Sequence, residues 1–310
     1  MNRDTAIPPD LILGTAMWGW TVEEEVCFAL LDDFYQRGGR RVDTATNYPI
    51  NKNPADFRRA EKLLATWCST HQVADLEVIV KVGSLNNMMT PDQNLSPSFL
   101  MICAEEYANL LGDNLACLMI HWDNREKEEA IDSTISSLMK LGENRWEIGL
   151  SGIKYPEVYA RVIKAHGLDS LPVELKHNLI YSDYERYAPL HPCADFIAYG
   201  INAGGLKLGA SSYSSTASLL ARGGKPDAHQ NLKDQIASLL SVFAQDYPGK
   251  VVPQQMNQLG MLNAAYHLGI SAILLGPSRV EHIEASFAWL EQLYSDDYTP
   301  LYEAMKKLEV

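Results

Sequence analysis

Short apolar runs recur along this chain about every 40 residues, and three of them end in a side chain that an apolar strand would not otherwise carry. The stretch Gly39 to Tyr48 (Gly-Arg-Arg-Val-Asp-Thr-Ala-Thr-Asn-Tyr) reads as a buried strand over Arg41 to Thr44 that opens into a polar loop holding Tyr48. The run Glu77 to Gly83 carries Lys81, and the run Leu115 to Asp123 carries His121. A lysine inside a strand buried on both faces is costly unless a counter-ion meets it, so Lys81 demands a partner. Asp43 is the candidate.

The remaining segments keep the same alternation. Leu11 to Ala16 is a first apolar run, and after it Val26, Leu30, Leu31 and Phe34 repeat at helical spacing until Gly38-Gly39. Helices are expected over 56–70, from Pro97 to about Leu111, over 127–141 and over 156–166. Strands five to seven are expected at 146–151, 171–175 and 196–199. A helix over 251–268, a strand over 272–276, a helix over 279–290 and a last helix near 301–308 complete the chain. The Gly- and Ser-rich segment 200–226 exceeds an ordinary connection, which points to a functional or mobile strap.

Eight continuous apolar strands alternating with helices imply a parallel sheet buried on both faces. A single (β/α)8 TIM barrel with a C-terminal helical extension, one domain over 1–310, accounts for all eight units. A doubly wound open sheet is the competitor, but no Gly-x-Gly-x-x-Gly follows any expected strand.

Bulk properties narrow the chemistry. A hydrophobic content of 46% and a charged content of 21% suit an ordinary globular core. The net charge of −13 argues against nucleic acid and anionic membrane surfaces as partners. Met1 to Asp10 has no apolar signal region, and no run reaches the ~20 residues of a spanning helix. Five scattered cysteines without a Cys-x-x-Cys pair fit free thiols in the cytoplasm, and the eight histidines show no metal spacing. A monomer or weak homo-oligomer is expected.

In a barrel, the C-terminal ends of all strands meet on one rim, so Asp43, Lys81 and His121 converge there beside Tyr48. The ammonium is expected to favour phenolate and to lower the tyrosine pKa from its reference of about 10. Tyr48 can then give a proton to an oxygen becoming an alkoxide, while His121 hydrogen-bonds and orients that oxygen. A polarised carbonyl without a protein reductant implies a hydride-carrying cofactor.

The same residues resemble the aldo-keto reductase superfamily over nearly the whole chain. Leu13-Gly14-Thr15 is similar to its first-strand signature, Asp43-Thr44-Ala45-Thr46-Asn47-Tyr48 to its Asp-Thr-Ala-x-x-Tyr motif, Val80-Lys81 to its lysine strand and Ile120-His121-Trp122 to its histidine strand. The resemblance implies NADPH extended across the C-terminal rim, with NAD as the alternative. It also implies Tyr48 as acid-base residue, tuned by Lys81 and Asp43, and His121 as the residue that orients the carbonyl. On the cofactor side it implies contacts from Gly14, Thr15, Ala16 and Asp43, from Ser151 to the nicotinamide amide, and from Tyr199 to the ring. The variant turn Gly200, Ile201, Asn202 and Gly204 and the late segment Gly276, Ser278, Arg279 and His282 are similar to its phosphate-holding parts. Arg279 and His282 are the basic side chains there that could meet a 2′-phosphate.

Four positions depart from that pattern. Gly152 stands for an expected Asn, Glu174 for a Gln, and Ala285-Ser286 for Glu-Asn. The last two changes remove adenine hydrogen bonds of about 0.5–1.5 kcal/mol each, so weaker cofactor binding is expected. Trp18, Trp20 and Trp122 are expected to wall the substrate cleft for a small carbonyl compound or a sugar, with Asn86 and Asn87 near a second wall. The alternatives are a sugar dehydrogenase using NAD, a nicotinamide-binding regulatory subunit, and a lyase or isomerase that uses Tyr48 and Lys81 without nicotinamide.

Overall fold

In the computed structural model, residues 8–143, 145–209, 213–215 and 217–309 are described. The expected features at Met1 to Ile7, and within the strap at Ala210, Ser211, Ser212 and Thr216, lie outside the described residues.

Eight parallel strands close into a barrel in sequence order. They are β1 (Asp10–Gly14), β2 (Arg41–Ala45), β3 (Glu77–Val82), β4 (Leu115–Ile120), β5 (Glu147–Ser151), β6 (Leu171–Lys176), β7 (Ala194–Tyr199) and β8 (Ile270–Leu275). The helices between them are α1 (Glu24–Gln36), α2 (Arg59–His71), α3 (Pro97–Leu111), α4 (Glu128–Gly142) and α5 (Pro156–Ala165), then α6 (Ser218–Ala221), α7 (Gln230–Asp246) and α8 (Met256–Ala265). Helices α9 (Val280–Ser295) and α10 (Thr299–Met305) follow β8. Among the described residues no helix is long and apolar enough to cross a membrane.

Strand alternation decides what reaches the rim. Ile12, Ile79, Cys117, Met119, Ile197 and Ala272 form a small core inside the barrel, while their neighbours Leu13, Val42, Val80, Leu118, Leu150, Val173 and Ala198 belong to the larger core shared with the helices. Two residues beyond the inner core lie Lys81 on β3, His121 after β4 and Tyr199 on β7. By the same parity Asp43, Ser151 and Glu174 point inward on β2, β5 and β6. The packing that fills the barrel therefore sets six polar side chains in its upper layer.

Boundaries differ from expectation where polar helices or prolines intervene. Helix α7, 17 residues long, and the 3-10 turn Glu185–Leu190 were not foreseen. Helix α7 buries only Leu232, Lys233, Ile236 and Phe243, too sparse an apolar stripe to stand out. Helix α8 is shorter than the 251–268 expected, because its start is fixed by a capping box between Gln255 and Gln258 just after Pro253.

The loop from Asp43 to Tyr48 is braced from below. Thr46 donates to the Lys81 carbonyl from both its backbone N–H (3.0 Å) and its hydroxyl (3.2 Å). Its hydroxyl also meets the Tyr107 hydroxyl on α3 at 3.0 Å, and Tyr107 donates to the fully buried Glu61, which pairs with Arg58. Burial pushes the Glu61 carboxyl up to about 7 against the opposing pull of Tyr107 and Arg58. Tyr107→Phe removes two buried partners at once, and a loss of about 1–3 kcal/mol is expected in urea unfolding. An unchanged midpoint would mean that this network does not brace the loop.

Candidate active site

Lys81 sits at the centre of the upper layer, 2% exposed, with two carboxylates against it. Its Nζ is paired with Asp43 Oδ2 and lies 3.0 Å from Glu174 Oε2 and 3.2 Å from Oε1. Burial works against the ammonium, but Asp43, Glu174 and then Tyr48 more than offset it and hold its pKa well above the ordinary lysine range. One ammonium facing two buried carboxylates leaves an excess negative charge. Accordingly, the Asp43 carboxyl is pushed well above its usual range, first by burial and then by Glu174, and the pull of Lys81 does not reverse this.

Tyr48 is 9% exposed, its ring edge-on to His121 with centroids 5.6 Å apart and 5.4 Å from Lys81 Nζ. The expectation that Lys81 makes Tyr48 unusually acidic is corrected here. Burial pushes the phenol up to about 12; Lys81 does lower it, but Asp43 and Glu174 oppose the lysine. Tyr48 is thus firmly protonated at neutral pH. It is an acid by default and a base only when further positive charge arrives.

His121 is held well below the usual histidine range, first by burial and then by Lys81, so its ring is neutral. Its Nδ1 lies 3.1 Å from Ser84 Oγ, a buried hydroxyl just beyond β3. Ser84 can donate to Nδ1, and in that tautomer the ring proton sits on Nε2 and makes that nitrogen a donor. Ser84 was not singled out from sequence; its position right after Gly83, at the end of the lysine strand, was the available signal.

The expected cofactor residues fall into two groups. Ser151 Oγ lies 3.5 Å from Glu174 Oε2, and Tyr199 closes the same layer with its phenol raised by burial. Gly200, Ile201, Asn202 and Gly204 form a tight turn closed by N–H bonds to the Gly200 and Asn202 carbonyls. A Cβ at Gly204 or Gly276 would meet nothing within 4 Å, so both face open space. At the start of α9, Arg279 Nη2 donates to His282 Nε2 at 2.9 Å, and His282 Nδ1 lies 3.4 Å from the Ser278 nitrogen. Burial and Arg279 lower the His282 pKa, so Arg279 is the cation of this pair and His282 its support.

Other expected contacts are spent on the fold. A Cβ at Gly14 would press on the Leu275 carbonyl at 2.9 Å, and the Thr15 hydroxyl donates to Thr44. Ala16 is partly exposed at the rim. Ser286 is buried, and its hydroxyl bonds the His282 carbonyl one turn back. At Gly152, φ is +56° and a Cβ would stand 2.9 Å from the His121 carbonyl, which excludes the expected Asn from this backbone. Trp18 is 1% exposed and packs in the core, a correction to its expected place on the cleft wall; Trp20 and Trp122 are partly exposed. The Asn87 amide nitrogen bonds the Pro49 and Asn53 carbonyls, and Asn86 bonds Thr90 and Asp92, so these amides brace loops rather than await hydroxyl groups. From the strap, Arg222 reaches the Met17 sulfur at 3.3 Å and its charge is felt at Tyr48. Among the described residues no group of His, Cys, Asp and Glu is placed to hold a metal ion.

Fold and site together define a parallel (β/α)8 barrel that gathers a protonated tyrosine, a neutral histidine and a doubly countered lysine on its C-terminal rim. The chain belongs to the Aldo/keto reductase family, which it matches over residues 10–306. Carbonyl oxidoreduction is the chemistry that this membership supports, and nicotinamide dinucleotides are the cofactors of the family. The chain is similar to norsolorinic acid reductase stcV of Emericella nidulans, 28% identical over 57% of this chain and 48% of that protein, so it spans about half of that relative. It is also 38% identical, over 25% of this chain and 77% of the other, to an uncharacterised 11.2 kDa protein from the crtE 3′ region of Pseudescherichia vulneris.

If Ser84 sets the His121 tautomer, Ser84→Ala should lower kcat about tenfold or more while KM changes little. Unchanged kcat would show that His121 is held without it.

Proposed function

We propose that this chain is an NADPH-dependent oxidoreductase that interconverts an aldehyde or ketone with its alcohol. The observation that carries the reading is the convergence of Tyr48, Lys81, Asp43 and His121 from the ends of three strands on one rim, inside a barrel of this family. The reductase name of the Emericella relative supports the same direction of chemistry.

The roles follow from protonation. Tyr48, held at about 12, keeps its proton until an oxygen of rising basicity comes within reach, and then donates it. The nearby ammonium of Lys81 favours the phenolate left behind, and Asp43 keeps that ammonium in place. Neutral His121 donates from Nε2 to the same oxygen and orients it, while Trp20 and Trp122 exclude water from one side.

The donor set fits a dinucleotide. Ser151 and Tyr199 would hold and stack the nicotinamide end, the turn 200–204 would admit the phosphates, and Arg279 with the N–H groups opening α9 would meet a 2′-phosphate. When bound, the cofactor supplies a hydride to the carbonyl carbon. A second reading, oxidation of an alcohol or sugar with the same groups working in reverse, is favoured by the additional carboxylate of Glu174.

Tyr48→Phe should abolish carbonyl reduction and leave dinucleotide affinity nearly unchanged in a tryptophan-fluorescence titration. Retained turnover would remove Tyr48 as the proton donor. Arg279→Ala should weaken NADPH about 10- to 100-fold and NADH far less, the range of one charge-assisted contact. Equal losses for both would place the 2′-phosphate elsewhere.

A further inference from the structure

We infer that Glu174 makes this site discriminate between the two redox forms of the nicotinamide, favouring the oxidised ring, because it sets a second carboxylate beside Lys81 where one counter-ion would suffice. The inference rests on the dinucleotide reading above and goes beyond it to the charge of the ligand.

Glu174 is 2% exposed on β6, in register with Ser151 on β5. The titratable and hydroxyl groups that face it are Asp43 from β2, Lys81 from β3, Cys117 from β4, Ser151 from β5, Tyr199 from β7 and Tyr48 above. Burial holds the Cys117 thiol and the Tyr48 and Tyr199 phenols neutral, so the charge balance is set by Lys81 against the two carboxyls. With Asp43 protonated, as burial and the neighbouring Glu174 favour, the cluster is neutral. Without that proton the cluster carries one net negative charge, and nothing in the layer other than Lys81 compensates it.

An oxidised nicotinamide ring is cationic and a reduced one is neutral. A cation arriving beside Ser151 and Tyr199 supplies the missing compensation, so it binds best to the cluster whose Asp43 has released its proton to solvent. Two effects follow. The oxidised dinucleotide binds more tightly relative to the reduced form than a single Asp43–Lys81 pair would allow, and its binding expels part of a proton. The affinity gain fades as pH falls and Asp43 keeps its proton in the complex, whereas proton release fades as pH rises and Asp43 is already ionised in the free protein. The neutral reduced ring has neither effect.

The test is calorimetric titration of the purified chain with NADP+, NADPH, NAD+ and NADH at pH 7, in two buffers of different ionisation enthalpy. For the wild type, proton release is expected with the oxidised forms and not with the reduced forms. The ratio of reduced-form to oxidised-form Kd should exceed that of Glu174→Gln by about tenfold, the effect of one nearby charge in a partly screened site. Equal ratios in the two proteins, with tight binding of both forms, would overturn the inference and leave the oxidoreductase reading standing. No binding of any form at millimolar concentration would overturn both. The wild-type proton count needs no variant, so absent release with oxidised dinucleotide overturns the inference even if Glu174→Gln does not fold.

Discussion

The ammonium of Lys81 is the constraint on which the rest of the site depends. Placed inside a barrel and almost free of solvent, it cannot exist as a charge without carboxylates in contact, and two strands supply them. Burial and then the charge of Lys81 keep His121 neutral, and the same charge draws Tyr48 toward the acid range, though not far enough to undo its burial. The protonation states of Tyr48 and His121 are thus set first by burial and then by one buried cation with its counter-ions. The two-carboxylate arrangement is the unusual part, and it shifts the balance from a neutral pair toward a cluster that would welcome positive charge.

Around this centre the chain spends its ordinary polar residues on holding loops still. Thr46, Tyr107, Glu61 and Arg58 fix the loop that presents Tyr48, and Asn87 bonds the backbone on its far side. Ser84 fixes His121. These contacts lie behind the side chains of Tyr48 and His121 and hold the loops that present them. The strap, through Arg222 and Met17, adds a connection between the loop after β7 and the loop after β1.

Much of the fold was legible because parallel strands buried on both faces announce themselves as continuous apolar runs, and the inward phase of Asp43, Lys81 and His121 follows from a period of two. The convergence of the site was legible for the same reason. What was not legible depended on distance across the barrel. Glu174 stands in sequence as a substitution at an amide-binding position, since nothing in its local sequence reveals that it touches Lys81 from three strands away. The Tyr48 pKa was misjudged in direction because the sequence names the nearby cation but not the burial that outweighs it. Trp18 was placed on the wall by proximity in sequence, whereas its ring turns into the core. Helix α7 escaped because so few of its residues are buried.

The central claim is that this rim passes a hydride to a carbonyl carbon while Tyr48 protonates the oxygen. It is tested most directly by incubating the purified chain with NADPH deuterated at C4 and a panel of aromatic and aliphatic aldehydes, then weighing the alcohols formed. The account predicts one deuterium on the carbinol carbon of a product that the Tyr48→Phe protein does not make. Alcohol formed without the label, or no alcohol from any carbonyl despite tight NADPH binding, would contradict it.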